Sequence, residues 1–259
     1  MTSVEVPLSP LNNFRDLGGL PVAGGTTATG VLWRSDDVSV IPEDDATGLA
    51  GLGLRTIIDL RSPGEASHTG RGSLGAHDIH YNNLPLTQGA AGPDEFHDLL
   101  RTGAGTPELV GTWYARTAVL EAANIVRGIR IIADSDGPTL VHCSAGKDRT
   151  GIFVACALTL AGADEDTIAA DYALSEQVLP AIMARVSSVI GSLLGDSAPY
   201  FAAVADSPGP YDPLLGAHPD SMRTMLRVLA SEHGGIVEVL RSAGLDQALE
   251  DRFREKFVV

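Results

Sequence analysis

Along the first two thirds of the chain, short apolar runs bounded by polar residues alternate with longer stretches of helical spacing. GVLWRSD (30–36) predicts a short strand, followed by a helix opening near Pro42. Glu43, Asp44 and Asp45 fall in the first turn of that helix, where acids suit its dipole. RTIIDLR (55–61) and TLVHCS (139–144) predict buried parallel strands, because a strand covered on both faces reads as an unbroken apolar run. HDIHYNNLPL (77–86) is a weaker strand signal. Residues 106–135 predict two helices, and TGIFVACALTLAG (150–162) a third that follows a Gly-containing loop. Strands separated by helices imply an α/β layer fold with a small, mainly parallel central sheet flanked by helices.

Beyond residue 163 the spacing is helical almost throughout: DEDTIAADYALSEQVLPAIMARVSSVIGSLLG, then SMRTMLRVLASEHGG, then IVEVLRSAGLDQALEDRFREKF. Two stretches, 87–105 and 195–218, are polar or rich in Gly and Pro. Each is either a lid over a site or an ordinary surface loop. One domain over 1–259 is expected, with an α/β core over about 10–165 and a helical extension, including C-terminal helices, over about 166–259.

Composition narrows the function. With 44% hydrophobic and 20% charged residues the chain suits a globular protein with a sizeable core. Its net charge of −15 disfavours nucleic acid and anionic membrane partners, so an anionic substrate needs a local basic site. Only Lys147 and Lys256 supply lysines. Two cysteines, Cys143 and Cys156, neither make a disulfide scaffold nor suggest a zinc site. MTSVEVPLSPLNNFRDLGG lacks a basic, apolar leader, and no window approaches the roughly 20 apolar residues of a spanning helix. A cytoplasmic location without membrane insertion is the expectation, with signal-less export leaving no mark on the sequence. Oligomeric state is not legible.

The chemistry concentrates between Val141 and Gly151, where a cysteine, five residues, an arginine and a hydroxyl residue join a strand to a helix. Backbone N–H groups of Ser144, Ala145, Gly146, Lys147, Asp148, Arg149 and Thr150 at a helix N-terminus make an anion nest. Arg149 can grip two phosphate oxygens in a bidentate pair. The nest, the dipole and the guanidinium favour the thiolate of Cys143 as nucleophile. Thr150 is placed to hydrogen-bond the sulfur as it leaves, and His142 to orient the loop without touching substrate. A buried structural cysteine is the alternative, and it fits poorly beside Lys147, Asp148 and Arg149. A nucleotide-binding G-x-x-x-x-G-K-[ST] loop is excluded, since Val141 stands at the first glycine position and Asp148 at the hydroxyl position.

HCSAGKDRTG resembles the signature loop of the cysteine phosphatases, and the Lys147–Asp148 pair resembles the bacterial tyrosine and phosphoinositide phosphatases among them. NFRDLGG (13–19), WRSDDVS (33–39), DLRSPGE (59–65) and the helical stretch after HPDSMR match that group in order, so the likeness spans nearly the whole chain. It implies a cysteine-phosphatase fold with added helices and hydrolysis through a cysteinyl-phosphate, without metal or other cofactor. The implied substrate is a phosphotyrosine protein or a phosphoinositide.

The leaving oxygen needs an acid. No Trp-Pro-Asp occurs, and His218-Pro219-Asp220 reads as a helix start. Asp148, which the resemblance supports, is preferred narrowly over Asp59, whose place at the end of a buried strand faces a site in open parallel sheets. Asp59 otherwise forms a pocket-shaping ion pair with Arg61 or Arg15. Lys147 either adds charge for a multiply phosphorylated headgroup or is solvated at the pocket mouth. Arg15 and Asp16 line or buttress the site, or are structural, and Tyr172 faces the pocket or packs. Against a tyrosine-directed phosphatase of broad specificity stand a phosphoinositide phosphatase, a silent phosphate-binding module and a rhodanese-like sulfur transferase. The last two are disfavoured by the intact Cys143 and Arg149 and by their five-residue spacing.

Overall fold

The computed structural model describes residues 11–89, 99, 102, 105–182 and 214–259. Its central sheet has five strands: β1 (Arg15–Asp16), β4 (Leu32–Ser35), β5 (Thr56–Asp59), β6 (His80–Asn83) and β7 (Thr139–His142). Their order is β1-β4-β7-β5-β6, parallel except for β1 against β4. A two-stranded hairpin, β2 (Pro21–Val22) with β3 (Gly25–Thr26), stands apart from it.

Every residue of β4, β5 and β7 is buried, which is why LWRS, TIID and TLVH carry no polar face. Adjacent side chains point to opposite sides of a strand, and the core divides accordingly. Leu32, Ile58 and Val141 belong to the larger cluster under the helices. Trp33, Ile57 and Leu140 belong to a smaller one with Leu49, Leu54 and Ile79. The edge strand β6 is only partly covered, in keeping with its weak pattern.

The sheet is flanked by α1 (Glu43–Gly51), α2 (Pro63–Thr69), α3 (Pro107–Leu120), α4 (Ala122–Asp134) and α5 (Asp148–Ala161). They are followed by α6 (Glu165–Ala173), α7 (Pro219–His233), α8 (Ile236–Ser242) and α9 (Gln247–Phe257). On α4, Ile125, Val126, Ile129 and Ile132 form the buried stripe, and Gly128 lets it close on α5: a Cβ there would stand 2.4 Å from Phe153 Cε2. Helix α3 meets α7 as closely, since a Cβ at Gly111 would stand 2.4 Å from the Ser221 carbonyl. Helix α7 opens as expected, with His218 at the cap accepting from Asp220 N–H and Asp220 in the first turn.

This is the expected α/β fold, with C-terminal helices. The hairpin and α2 were not foreseen, both being short and without apolar periodicity. The helix expected over 150–162 begins two residues earlier, inside the signature loop, and ends at Gly162 in the left-handed region (φ 92°). Most of the 87–105 stretch (90–98, 100–101, 103–104), the 195–213 part of the second proposed lid and the helical pattern over 183–195 lie outside the described residues.

Strand β7 is hydrogen-bonded on both sides, and its last residue, His142, pairs with Ser35 on one neighbour and Asp59 on the other. The loop that follows therefore leaves the middle of the sheet at its carboxyl edge, where open α/β sheets place ligands.

Candidate active site

Residues 143–147 turn from β7 into α5, and the turn is held from behind. The Gly146 carbonyl accepts from Asn13 Nδ2 at 3.0 Å and from Arg34 Nη2 at 2.7 Å, and the Ala145 carbonyl from Asn13 Nδ2 at 3.2 Å. The Ser144 carbonyl accepts from the Asp37 N–H at 3.0 Å. Carbonyls tied outward in this way leave the loop's N–H groups to face the other side, the arrangement of an anion nest. Gly146 has φ +67°, and a Cβ on it would come within 2.4 Å of the Ser35 carbonyl, so both the turn and its approach to β4 require glycine. Helix α5 starts without a side-chain cap, leaving its first N–H groups free of that competitor.

The buttress is itself an ion-pair network. Arg34, fully buried on β4, and Arg15 on β1 share the Asp171 carboxylate of α6; Arg15 Nε lies 2.8 Å from Oδ1. Arg15 also donates to Asn13 Oδ1 at 2.6 Å. Arg15 thus supports the site from behind, whereas Asp16 serves the turn that follows, accepting from the N–H groups of Gly18 and Gly30 and from Trp33 Nε1.

At the floor, Cys143 is 1% exposed and its sulfur accepts from Thr150 Oγ1 at 3.3 Å. The Cys143 carbonyl lies 3.1 Å from His142 Nδ1. Burial pushes His142 below the ordinary histidine range, outweighing the attraction of Asp59, so its ring is neutral. Asp59 is fully enclosed: it accepts from the N–H, Nε and Nη2 of Arg61 and, at 2.7 Å, from the Tyr81 hydroxyl. Its ion-pair partner is therefore Arg61 and not Arg15. Burial raises the Asp59 carboxyl, but the hydrogen bonds from Arg61 and Tyr81 and the charge of Arg61 more than offset that, holding it below the carboxylate range.

At the rim, Arg149 Nη1 and Nη2 meet Glu65 Oε2 and Oε1 at 2.8 and 3.0 Å, and Ser144 Oγ donates to Oε1 at 2.8 Å. Glu65 also closes the capping box of α2: its Oε2 accepts from Ser62 N–H while its own N–H donates to Ser62 Oγ. Partial burial raises the Glu65 carboxyl, yet the pairing with Arg149 and the Ser62 bonds bring it down to about 2.

Lys147 is 2% exposed, donating to Asp148 Oδ1 at 2.6 Å and to the Gly216 carbonyl at 3.1 Å. It is not a solvated residue at the pocket mouth, because its ammonium is enclosed and paired. Asp148 also accepts from the Tyr114 hydroxyl through Oδ1, and Tyr114 in turn lies 2.8 Å from the Tyr172 hydroxyl. Burial raises the Asp148 carboxyl, but the charge of Lys147 and the bonds from Lys147 and Tyr114 hold it below the ordinary range. Cys156 sits in the core, where burial pushes its thiol up to about 12.

The structure thus pairs Cys143 with Thr150, Ser144 with Arg149 and Glu65, and Lys147 with Asp148, and holds His142 against the Cys143 carbonyl and Asp59 against Arg61. Glu65, Tyr114, Asn13, Arg34 and Asp171 were not singled out from sequence. Ser62-x-x-Glu65 after a buried strand is a legible capping-box signature, and a lone arginine inside the apolar strand LWRS needs a buried partner. Among the described residues no group of His, Cys, Asp or Glu side chains is disposed to hold a metal ion, and no helix is long and apolar enough to cross a membrane.

A parallel central strand, a tight loop carrying a cysteine and an arginine, and a helix opening inside that loop are the parts of a cysteine-dependent phosphatase. The chain belongs to the tyrosine phosphatase family, whose profile matches residues 6–259. It is 25% identical over 264 aligned positions to the triple specificity protein phosphatase PtpB of Mycobacterium tuberculosis, covering 93% of this chain and 95% of that one. It is 28% identical over 215 positions to a tyrosine-protein phosphatase of Nostoc commune, covering 83% and 69% respectively.

Proposed function

We propose that this enzyme hydrolyses phosphotyrosine in proteins, with breadth toward phosphoserine, phosphothreonine and phosphoinositides, through a cysteinyl-phosphate on Cys143. The observation that supports this most is the pairing of the Cys143 sulfur with Thr150 Oγ1 in a loop whose carbonyls are tied away from it. The breadth is supported by the relative named for triple specificity.

In this mechanism the N–H groups of residues 144–150 and the Nε side of Arg149 hold the phosphoryl oxygens, while Glu65 holds the other end of the guanidinium. Cys143 attacks phosphorus in line with the leaving oxygen. Thr150 donates to the sulfur and helps it depart when water attacks the intermediate. Asp148 is the acid and then the base. Its carboxyl is ionised at neutral pH before substrate binds, and an arriving phosphate dianion raises its proton affinity, a nearby like charge disfavouring the carboxylate. Asp59 is assigned to the scaffold, since its oxygens are taken by Arg61 and Tyr81. His142 presents the Cys143 carbonyl.

The bonding of Lys147 to Asp148 and Gly216 favours a role in shaping the loop over one in gripping a second phosphate. We also assign the enzyme to the cytoplasm, where a thiol nucleophile stays reduced.

The test is phosphate release from an aryl phosphate, phosphotyrosine, phosphoserine and phosphothreonine peptides, and a phosphoinositide panel, in chelator, with Cys143→Ser alongside. Release from the tyrosine peptide that vanishes in the variant is expected. Binding of vanadate with no turnover of any substrate would replace the enzyme by a phosphate-binding module.

A further inference from the structure

The hydrogen bonds around Asp148 are asymmetric. Oδ1 accepts from Lys147 Nζ at 2.6 Å and from the Tyr114 hydroxyl, two donors on one oxygen. Tyr114 is 5% exposed and Tyr172 1%, their rings meeting edge to face with centroids 6.0 Å apart. Both lie in closely packed surroundings: Gly111 brings α3 against α7, and at Gly151 a Cβ would stand 2.9 Å from Tyr172 Cδ2. A pair of phenols packed this tightly, joined by their hydroxyls at 2.8 Å and ending on a carboxylate in the signature loop, exceeds what packing alone requires.

We propose that Tyr114 is a positioning residue for proton transfer: together with Lys147 it occupies Oδ1 of Asp148, so that the transferable proton is carried on Oδ2. The proposal rests on the assignment of Asp148 as the acid. As the Cys143 sulfur bonds to phosphorus and the ester P–O bond breaks, Oδ2 gives its proton to the leaving oxygen. As a water oxygen then bonds to phosphorus and the S–P bond breaks, Oδ2 takes up the proton that water releases. Tyr114 exchanges no proton in either step. Burial, and the carboxylate it faces, hold its hydroxyl well above the ordinary phenol range.

The charged and titratable groups facing Asp148 are Lys147 and Arg149 from its own loop and helix, Tyr114 from α3 and Tyr172 from α6. Beyond them, Glu176 acts on Lys147, Arg34 on Tyr172 and Glu65 on Arg149. Removing the Tyr114 hydroxyl takes away a donor that favours the ionised carboxylate. The limb of the pH profile that falls as Asp148 loses its proton then moves to higher pH.

The experiment is the pH dependence of the single-turnover phosphorylation rate at saturating substrate, which reports Asp148 in the substrate-bound enzyme, for Tyr114→Phe, Asp148→Asn and the unmodified enzyme, over aryl phosphates of rising leaving-group basicity. For Tyr114→Phe the descending limb is expected to shift upward, with a loss of about tenfold on the poorest leaving group, the scale of one hydrogen bond, and little on the best. Equal losses across the series with an unmoved limb would overturn the proposal and leave Tyr114 a packing residue. If Asp148→Asn keeps its descending limb and leaving-group dependence, the acid assignment itself has failed, and this proposal with it. Should Tyr114→Phe not fold, Tyr172→Phe is expected to give a smaller shift in the same direction, and an unmoved limb there overturns the proposal equally.

Discussion

Glu65 holds Arg149 by both ends of its fork, Nη1 to Oε2 at 2.8 Å and Nη2 to Oε1 at 3.0 Å, while closing the capping box of its own helix. One carboxylate thus fixes the start of α2 and the direction of the arginine that, on the proposed mechanism, follows the phosphoryl group into the transition state. Glu65→Gln is expected to lower kcat/KM by about tenfold to a hundredfold, the range for hydrogen bonds to a charged group. Steady-state kinetics on an aryl phosphate check this, and an unchanged kcat/KM would show that Arg149 orients itself.

The same pair makes stability depend on pH. With its carboxyl brought down to about 2 from an ordinary value of 4.5, Glu65 contributes stability that is fully present above about 4.5 and is lost as pH falls toward 2. Denaturant unfolding over that window is expected to show a shallower loss for Glu65→Gln than for the unmodified protein. Parallel curves would mean that the pair contributes nothing to folding.

Gly146 is required by both its φ of +67° and its 2.4 Å approach to the Ser35 carbonyl. Gly146→Ala is expected to cost at least about 1–2 kcal/mol of stability from the left-handed backbone alone. It should also weaken vanadate binding, because the nest N–H groups turn with the loop. Unfolding curves and vanadate titration measure the two effects separately.

Asp59→Ala leaves the buried Arg61 guanidinium without its main partner, and loss of one member of a buried pair costs about 3–5 kcal/mol. The expected result is a lower unfolding midpoint with unchanged dependence of rate on leaving-group basicity. A selective loss on poor leaving groups would instead make Asp59 the acid.

Much of this arrangement was legible before the structure, for reasons tied to particular residues. TIID and TLVH could be read as parallel strands because both faces of each are covered, leaving no polar alternation to confuse them. The loop was legible because Cys143, Gly146 and Arg149 are residue types whose chemistry needs that spacing. The supporting contacts were not: Asn13 and Ala145 are 132 residues apart, and Arg15 and Asp171 are 156 apart. No local pattern encodes such pairings. The assignment of Lys147 left open a solvated side chain, because exposure depends on Gly216, a neighbour brought in by topology. Glu65 was missed although its capping box is local, since a cap signals a helix start and says nothing of a second partner.

On the proposed mechanism phosphate passes through Cys143. Quenching in alkaline denaturant during turnover of a radiolabelled phosphotyrosine peptide, followed by mapping of the label on the protein, tests this. Label on the peptide that contains Cys143, absent from Cys143→Ser and accumulating in Thr150→Ala as the sulfur leaves more slowly, is the expected result. Phosphate release that proceeds in the unmodified enzyme with no label on Cys143, or that survives Cys143→Ser, would contradict it.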